Sequence, residues 1–446
     1  MSRKPILWIA SSVILLGAVA AFVFMPAKQA ALLMPDLLPR QAEAKPSSEF
    51  LKSEEQVKKL RADIQAHPEK AAEYVHLADV YVQESRVTAN HHFYVPVAAA
   101  LIHEALRREP NNFEALVSGA SLEMTLHQFQ TAHDMVLRAI DENPYNATSF
   151  GVLCDANVEL GSYPAAVAAC DSMMARRPDL RSYARASYLR QLHGNRSDAI
   201  DAMMFAVNAG ASGSEAHAWA AYQLGNLFFE AGKLDTAAFI YKSILEERPG
   251  YAYARSGLAM IHLARQDYSD AVGELVTAMQ QLPEHVFLEQ LSDVYLAMGD
   301  TANARTIETR VFSAFDQHEK DGWNVDREYA QYAADHGTRL TEATERAKRE
   351  FARRPNNVDA AETYAWVLYK TGHAQDAIAV LDRIATTGIV ATTTHYHAGA
   401  IYAAVGDQTK ARHELTLALQ SVPYTQIALM RNARTLLSSI GEISMK

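Results

Sequence analysis

Residues 218–251 read AWAAYQLGNLFFEAGKLDTAAFIYKSILEERPGY, and this stretch decides the fold. Leu224, Phe228, Tyr241 and Ile244 recur at helical spacing, so each half predicts an amphipathic helix. Gly232 falls between the halves, where a first helix must end in a left-handed residue. Pro249 stands past the second half and forbids its continuation. Gly225 and Ala237 are small on both halves, which lets two helices cross closely. The stretch predicts one helical hairpin.

The hairpin repeats along the chain. Pro110, Pro144 and Pro178 lie 34 residues apart, as do Pro249 and Pro283, and Pro355 to Pro423 spans two such periods. Pro68 to Pro110 carries eight extra residues, and the steps Pro178 to Pro249 and Pro283 to Pro355 carry three and four beyond two periods. With the proline at position 32, position 20 reads Ala98, Ala132, Ala166, Ala199, Ala237, Ala271, Ala304, Ala343, Ala377 and Ala411. The facing position 8 reads Ala78, Ala120, Cys154, Ser187, Gly225, Ala259, Ser292, Ala365 and Gly399, with Gln331 the exception in the eighth unit. Gly161, Gly194, Gly232, Gly299, Gly372 and Gly406 occupy position 15.

On these residues the chain resembles the tetratricopeptide repeat (TPR) family. The resemblance implies an all-α, right-handed superhelical solenoid of about ten helix–turn–helix units over residues 71–425. Residues 49–70, with Phe50, Val57, Leu60 and Ile64 apolar, predict a helix closing the first unit, and 426–446 predict a capping helix and tail. Residues 26–48 contain Pro26, Pro35, Pro39 and Pro46 and read as a linker. Residues 1–25 hold Arg3 and Lys4 before an uncharged stretch, Ile6 to Met25, long enough to span a bilayer. Ala18-Val19-Ala20 also has the form of a signal-peptidase site, so the segment is either a signal anchor or a cleaved signal peptide. Either reading places the repeats outside the cytoplasmic membrane of a bacterium, in the periplasm.

In the family, positions 2, 5, 9 and 12 of the first helices line a concave groove. Carried onto this chain they give Tyr188, Trp219, Tyr222, Asn226, Phe229, Tyr253, Met260 and Leu263 in the middle units. Toward the C-terminal end they give Glu289, Asp293, Glu328, Tyr332, Asp335, Asp359, Glu362, Trp366 and Tyr369. An aromatic and acidic groove predicts a protein partner that offers apolar side chains and a basic tract. Packing between neighbouring repeats is the competing use for any one of these aromatics. Position 5 holds no lysine, so the clamp that related proteins use for acidic chaperone tails is absent.

Other chemistry is thinly represented. The formal charge of −10, from 42 Lys and Arg against 52 Asp and Glu, disfavours nucleic acid. Cys154 and Cys170 face each other within the third unit and are either a disulfide or two buried thiols. His91 and His92 fall in the eight-residue insertion, a partner-contact loop or, as a third class of function, a metal handler. No phosphate loop, nucleophile elbow or H-E-x-x-H occurs, so neither enzyme activity, a cofactor, a metal centre nor a small-molecule substrate is expected. The expected function is a non-catalytic scaffold for assembling a cell-envelope complex, with a structural subunit of an envelope secretion, transport or exopolysaccharide export machine as the alternative.

Overall fold

A computed structural model of the protein describes residues 32–40, 48–389, 393–421 and 427–443. Among them are 22 α-helices and no strand. The segment from Ile6 to Met25 lies outside the described residues. Among those described, no helix is long and apolar enough to cross a membrane.

Ten helical hairpins follow one another. They are Ala71–Thr88 with His91–Arg108, Phe113–Thr125 with Phe129–Glu142, Ala147–Glu159 with Tyr163–Arg176, Leu180–Leu192 with Arg196–Ala209, and Glu215–Glu230 with Leu234–Glu247. The rest are Ala252–Arg265 with Tyr268–Gln281, His285–Met298 with Thr301–Lys320, Asp326–His336 with Leu340–Arg353, Val358–Lys370 with Ala374–Ile384, and Thr394–Ala404 with Gln408–Ser421. Ser48–Ala66 packs on the first hairpin and Ile427–Ile443 on the last. Each hairpin packs mainly within itself and against the next.

The alanines at position 20 do what their size suggests. All ten are buried, nine of them completely and Ala304 at 4% exposure. Helix starts are fixed locally: Asn112, Asn146, Ser214 and Asn357 each accept a backbone N–H from the first turn, and Asp179 and Ser182 form a capping box. Every turn contains a left-handed residue. Glycine supplies it in seven hairpins, while Ala89, His127 and Gln266 do so in the first, second and sixth.

The eighth hairpin departs from the expected register. Gly337 (φ +67) stands six residues before Ala343, whereas the other turn glycines stand five before their alanine. Arg339 is also left-handed (φ +47), so this turn holds one extra residue. The small residue facing Ala343 is therefore Ala330, fully buried, and Gln331 is no exception to the packing rule.

One further expectation is corrected. The insertion in the first unit is not a loop: it lengthens both helices to 18 residues, and His91 and His92 open the second one. Residues 37–40, within the stretch read as a linker, pack on the first hairpin. Leu37 and Arg40 are buried, the Leu38 N–H donates to the Tyr94 hydroxyl (2.8 Å), and Arg40 pairs with the fully buried Glu84 (2.8 Å).

The coil also closes on itself. Hairpins one to three touch hairpins seven to nine through contacts 193 to 199 residues apart. At one seam the Asn324 N–H donates to the Leu126 carbonyl (3.0 Å), and His127 meets the Asn324 carbonyl (3.0 Å). At another, Arg354 donates to the Glu159 carboxylate (2.5 Å), Asn357 to the Val158 carbonyl (3.2 Å), and the Val358 N–H to the Tyr163 hydroxyl (2.9 Å). One apolar cluster runs through both strands of this second seam, from Cys154, Tyr163 and Ala166 to Val358, Ala361 and Ile401.

Candidate partner-binding face

Closure of the coil brings side chains of distant hairpins together. Tyr188 is 42% exposed, yet its hydroxyl is pushed above the usual tyrosine range by burial, then by Asp359 and Glu159. A side chain can meet water on one side and close protein walls on the others, and this face has that character.

Four carboxylates dominate the inner wall of hairpins seven and eight. Glu289 and Asp293 stand one turn apart on His285–Met298. Burial raises Glu289 to about 8, helped by Asp293 and Glu328. Burial also raises Asp293 to about 7, helped by Asp335, although half of its side chain remains open to water. Burial raises Asp335 as well. Glu328 goes the other way: burial opposes its charge, but Arg327 (2.9 Å) and then His127 hold it at about 2. The wall thus carries three carboxylates approached by imidazoles, from His285 (3.7 Å), His336 (3.5 Å) and His397 (3.9 Å), beside one paired with a guanidinium.

The aromatic positions divide into two groups. Trp219, Tyr222, Phe229, Tyr253 and Met260 are half-buried along the middle hairpins, with Tyr222 against Tyr241 (5.9 Å) and Tyr253 (5.7 Å). Asn226 also lies there, its side-chain oxygen taken by the Tyr241 hydroxyl (2.7 Å). Trp366 belongs to the packing instead. It is 2% exposed, stacked between Tyr369 (4.9 Å) and His397 (4.0 Å), and donates to Asp335 (2.8 Å).

Three more groove positions are spent internally. Glu362 is buried and accepts from Thr393, Thr394 (2.6 Å) and His397 (2.8 Å). The buried Tyr332 donates to Ser292 (3.1 Å), and Leu263 is buried. The register shift explains Tyr332: with the first helix one residue early, the half-buried Gln331 takes the inward position. Arg327 likewise moves onto this wall, unforeseen because the shift was hidden; the early Gly337 was its signal.

Cys154 and Cys170 are free and buried, and the neighbouring Cys170 thiol together with burial pushes the Cys154 thiol up. Among the described residues, no group of three or more His, Cys, Asp or Glu side chains is arranged to hold a metal ion. His91 is engaged by Ser85 (2.7 Å) and Glu284 (3.1 Å).

Residues 228–291, from the fifth hairpin into the seventh, match the family model described as Tetratricopeptide repeat. No curated protein matches the chain. Similar solved structures include TTC0263, a thermophilic TPR protein of Thermus thermophilus, at 21% identity over 38% of this chain and 91% of that one, TM-score 0.36. YrrB, described as a TPR protein with an unusual peptide-binding site, shows 17% identity over 51% and 94%, TM-score 0.24. A human IFIT1 dimer with m7Gppp-AAAA shows 12% identity over 75% and 87%, TM-score 0.45. The family match covers residues 228–291 and lies within a run of ten helical hairpins.

Proposed function

We propose that this protein is a non-catalytic scaffold that holds a cationic, partly apolar segment of a partner protein against the inner wall of its coil. The observation that carries this reading is the set of carboxyls Glu289, Asp293 and Asp335, raised by burial and approached only by imidazoles among the ion pairs of this wall, beside half-buried aromatics. A lysine or arginine arriving there would favour the charged form of carboxyls that burial shifts toward protonation, while Trp219, Tyr222 and Tyr253 would supply rigid contact area. Photo-crosslinking residues at positions 188 and 293, the more open wall positions, should capture that partner in cells. Glu289→Lys with Asp293→Lys should abolish capture while leaving helicity intact. Capture unchanged by that reversal would remove the acidic wall from the mechanism.

The uncharged stretch Ile6–Met25 behind Arg3 and Lys4 supports a site of action outside the cytoplasmic membrane, in assembly of an envelope complex. An alkaline phosphatase fusion after residue 40 should be active if the chain is exported and silent if it is not. The sealed seams favour a second role, a stiff spacer within an envelope machine, in which the same charge reversal would leave partner association unaltered.

A further inference from the structure

We propose that the seam joining hairpins one and two to hairpins seven and eight is an acid-operated joint: mild acid opens the coil there and leaves the third-to-ninth seam closed. Four imidazoles meet at this joint, from four separate segments of the chain. His91 opens the second helix of hairpin one, His127 sits in the turn of hairpin two, His285 opens hairpin seven, and His318 lies near its end. The His318 ring packs against His285 (4.9 Å), Trp323 (5.2 Å) and His91 (6.1 Å), and His91 also meets Trp323 edge-on (5.4 Å).

The charged groups facing these rings are few and already committed. Glu284 lies 3.1 Å from His91 and is approached by the Tyr253 hydroxyl (3.5 Å). Glu328 lies 3.8 Å from His127 and is paired with Arg327 (2.9 Å). Glu289 lies 3.7 Å from His285, but at about 8 its carboxyl is itself protonated in acid and offers no charge. His285 Nδ1 is buried without a partner. Phe315 and Trp323 complete the walls. Protons at His285 and His318 place two imidazolium cations beside Arg327, where Glu284 is engaged by His91, Glu328 by Arg327, and Glu159, which also faces His127, by Arg354.

Burial, then His285 and His91, hold His318 down at about 4, and burial lowers His285 too. In an opened seam both would titrate near 6.5. The open state therefore binds more protons between pH 6.5 and 4, so opening gains as pH falls through that window. Each additional proton taken up favours opening by about tenfold per pH unit within it. Neutral imidazole closes the joint and imidazolium opens it.

Spin labels on cysteines at Gln130 and Lys320, exposed positions on either side of the joint, report the distance in the full chain. A second pair at Ala165 and Asp382 reports the third-to-ninth seam. Between pH 8 and pH 4.5 the first pair should gain a longer-distance population from about pH 6 downward, while the second pair stays fixed. His318→Phe with His285→Phe should hold the first pair closed to pH 4.5. An unchanged first distance at pH 4.5, both pairs opening together, or a double variant that opens at the wild-type pH would each overturn the proposal. Should the variant fold poorly by circular dichroism, hydrogen exchange on the wild-type chain decides: after correction for intrinsic rates, residues 85–94 and 318–329 must lose protection between pH 7 and 5 while 156–163 keep theirs. Retained protection at 85–94 and 318–329 overturns it equally.

Discussion

The two seams of the coil solve the same problem with opposite chemistry. Both join backbone segments about 195 residues apart, and both use the turn of an early hairpin against the start of a late one. At the third-to-ninth seam the contact is close. Gly161 (φ +74) lets the Asn356–Asn357 backbone approach so nearly that a Cβ there would stand 2.3 Å from a carbonyl carbon. Arg354 then spans from Glu350 to Glu159 and lies over Phe129 (4.6 Å), above a shared apolar cluster. At the other seam, imidazoles, Glu284, Glu328 and Trp323 meet. Stability at the first comes from packing and a permanent guanidinium; at the second it depends on imidazoles staying neutral.

Arg354→Ala breaks the first seam most severely. Glu350 is 2% exposed on its side chain and loses its Arg354 partner, although Asn324 and Arg353 remain. Removing one member of a buried ionic pair costs about 3 kcal/mol or more. Urea unfolding should show this as a lowered midpoint or as hairpins nine and ten melting separately. A midpoint shift below about 1 kcal/mol would mean the seam is decorative.

The glycine comparison separates turn strain from seam contact. Gly161 and Gly194 share the same left-handed φ, +74 and +75, but nothing lies within 4 Å of a Cβ at Gly194. Gly194→Ala should therefore cost about 1 kcal/mol for the backbone conformation alone. Gly161→Ala carries that cost and also drives the Asn356–Asn357 backbone away, so its loss should be at least twice as large in the same thermal or urea measurement. Equal losses would refute the close approach.

The repeat lattice was legible in the residues because it is periodic: alanine at position 20 and glycine at position 15 announce every hairpin but a few. His127 and Gln266 hide the turn glycine by adopting its conformation, and the extra residue between Gly337 and Ala343 hides the register of the eighth hairpin. The seams have no period, so spacing could not announce them. Their trace is the insertions. The eight extra residues before Pro110 bring His91 to the joint, and the extra residues before Pro355 lengthen Thr301–Lys320 to carry His318 and Trp323 there. Of the inner wall, the acidic and aromatic character was readable. Which members are free was not, because Trp366, Glu362 and Tyr332 are claimed by His397, Asp335 and Ser292 from neighbouring hairpins.

The inner wall responds to pH with the opposite sign to the histidine joint. Glu289 at about 8 binds its proton more tightly in the folded chain than a free carboxyl near 4.5 does. Its contribution is therefore favourable in acid and is lost as pH rises toward 8. Glu289→Gln should raise the melting temperature at pH 8 and leave it nearly unchanged at pH 4, the shift being modest because the side chain is partly open to water. His318→Phe should show its gain at pH 5 instead. A Glu289→Gln chain no more stable than wild type at pH 8 would mean that water screens the wall.

The smallest expected effect sharpens the comparison most cleanly, because two turns differ in one respect. Gln266 and His127 both hold a left-handed conformation that glycine adopts without steric cost. Gln266→Gly should stabilise by about 0.5 kcal/mol, the relief of strain less the extra freedom glycine has in the unfolded chain. His127→Gly relieves the same strain but removes the ring that meets the Asn324 carbonyl and approaches Glu328. It should therefore destabilise, and the difference between the two substitutions measures what the imidazole contributes to the seam. If both stabilise alike, His127 is only a turn residue, and the joint rests on His91, His285 and His318.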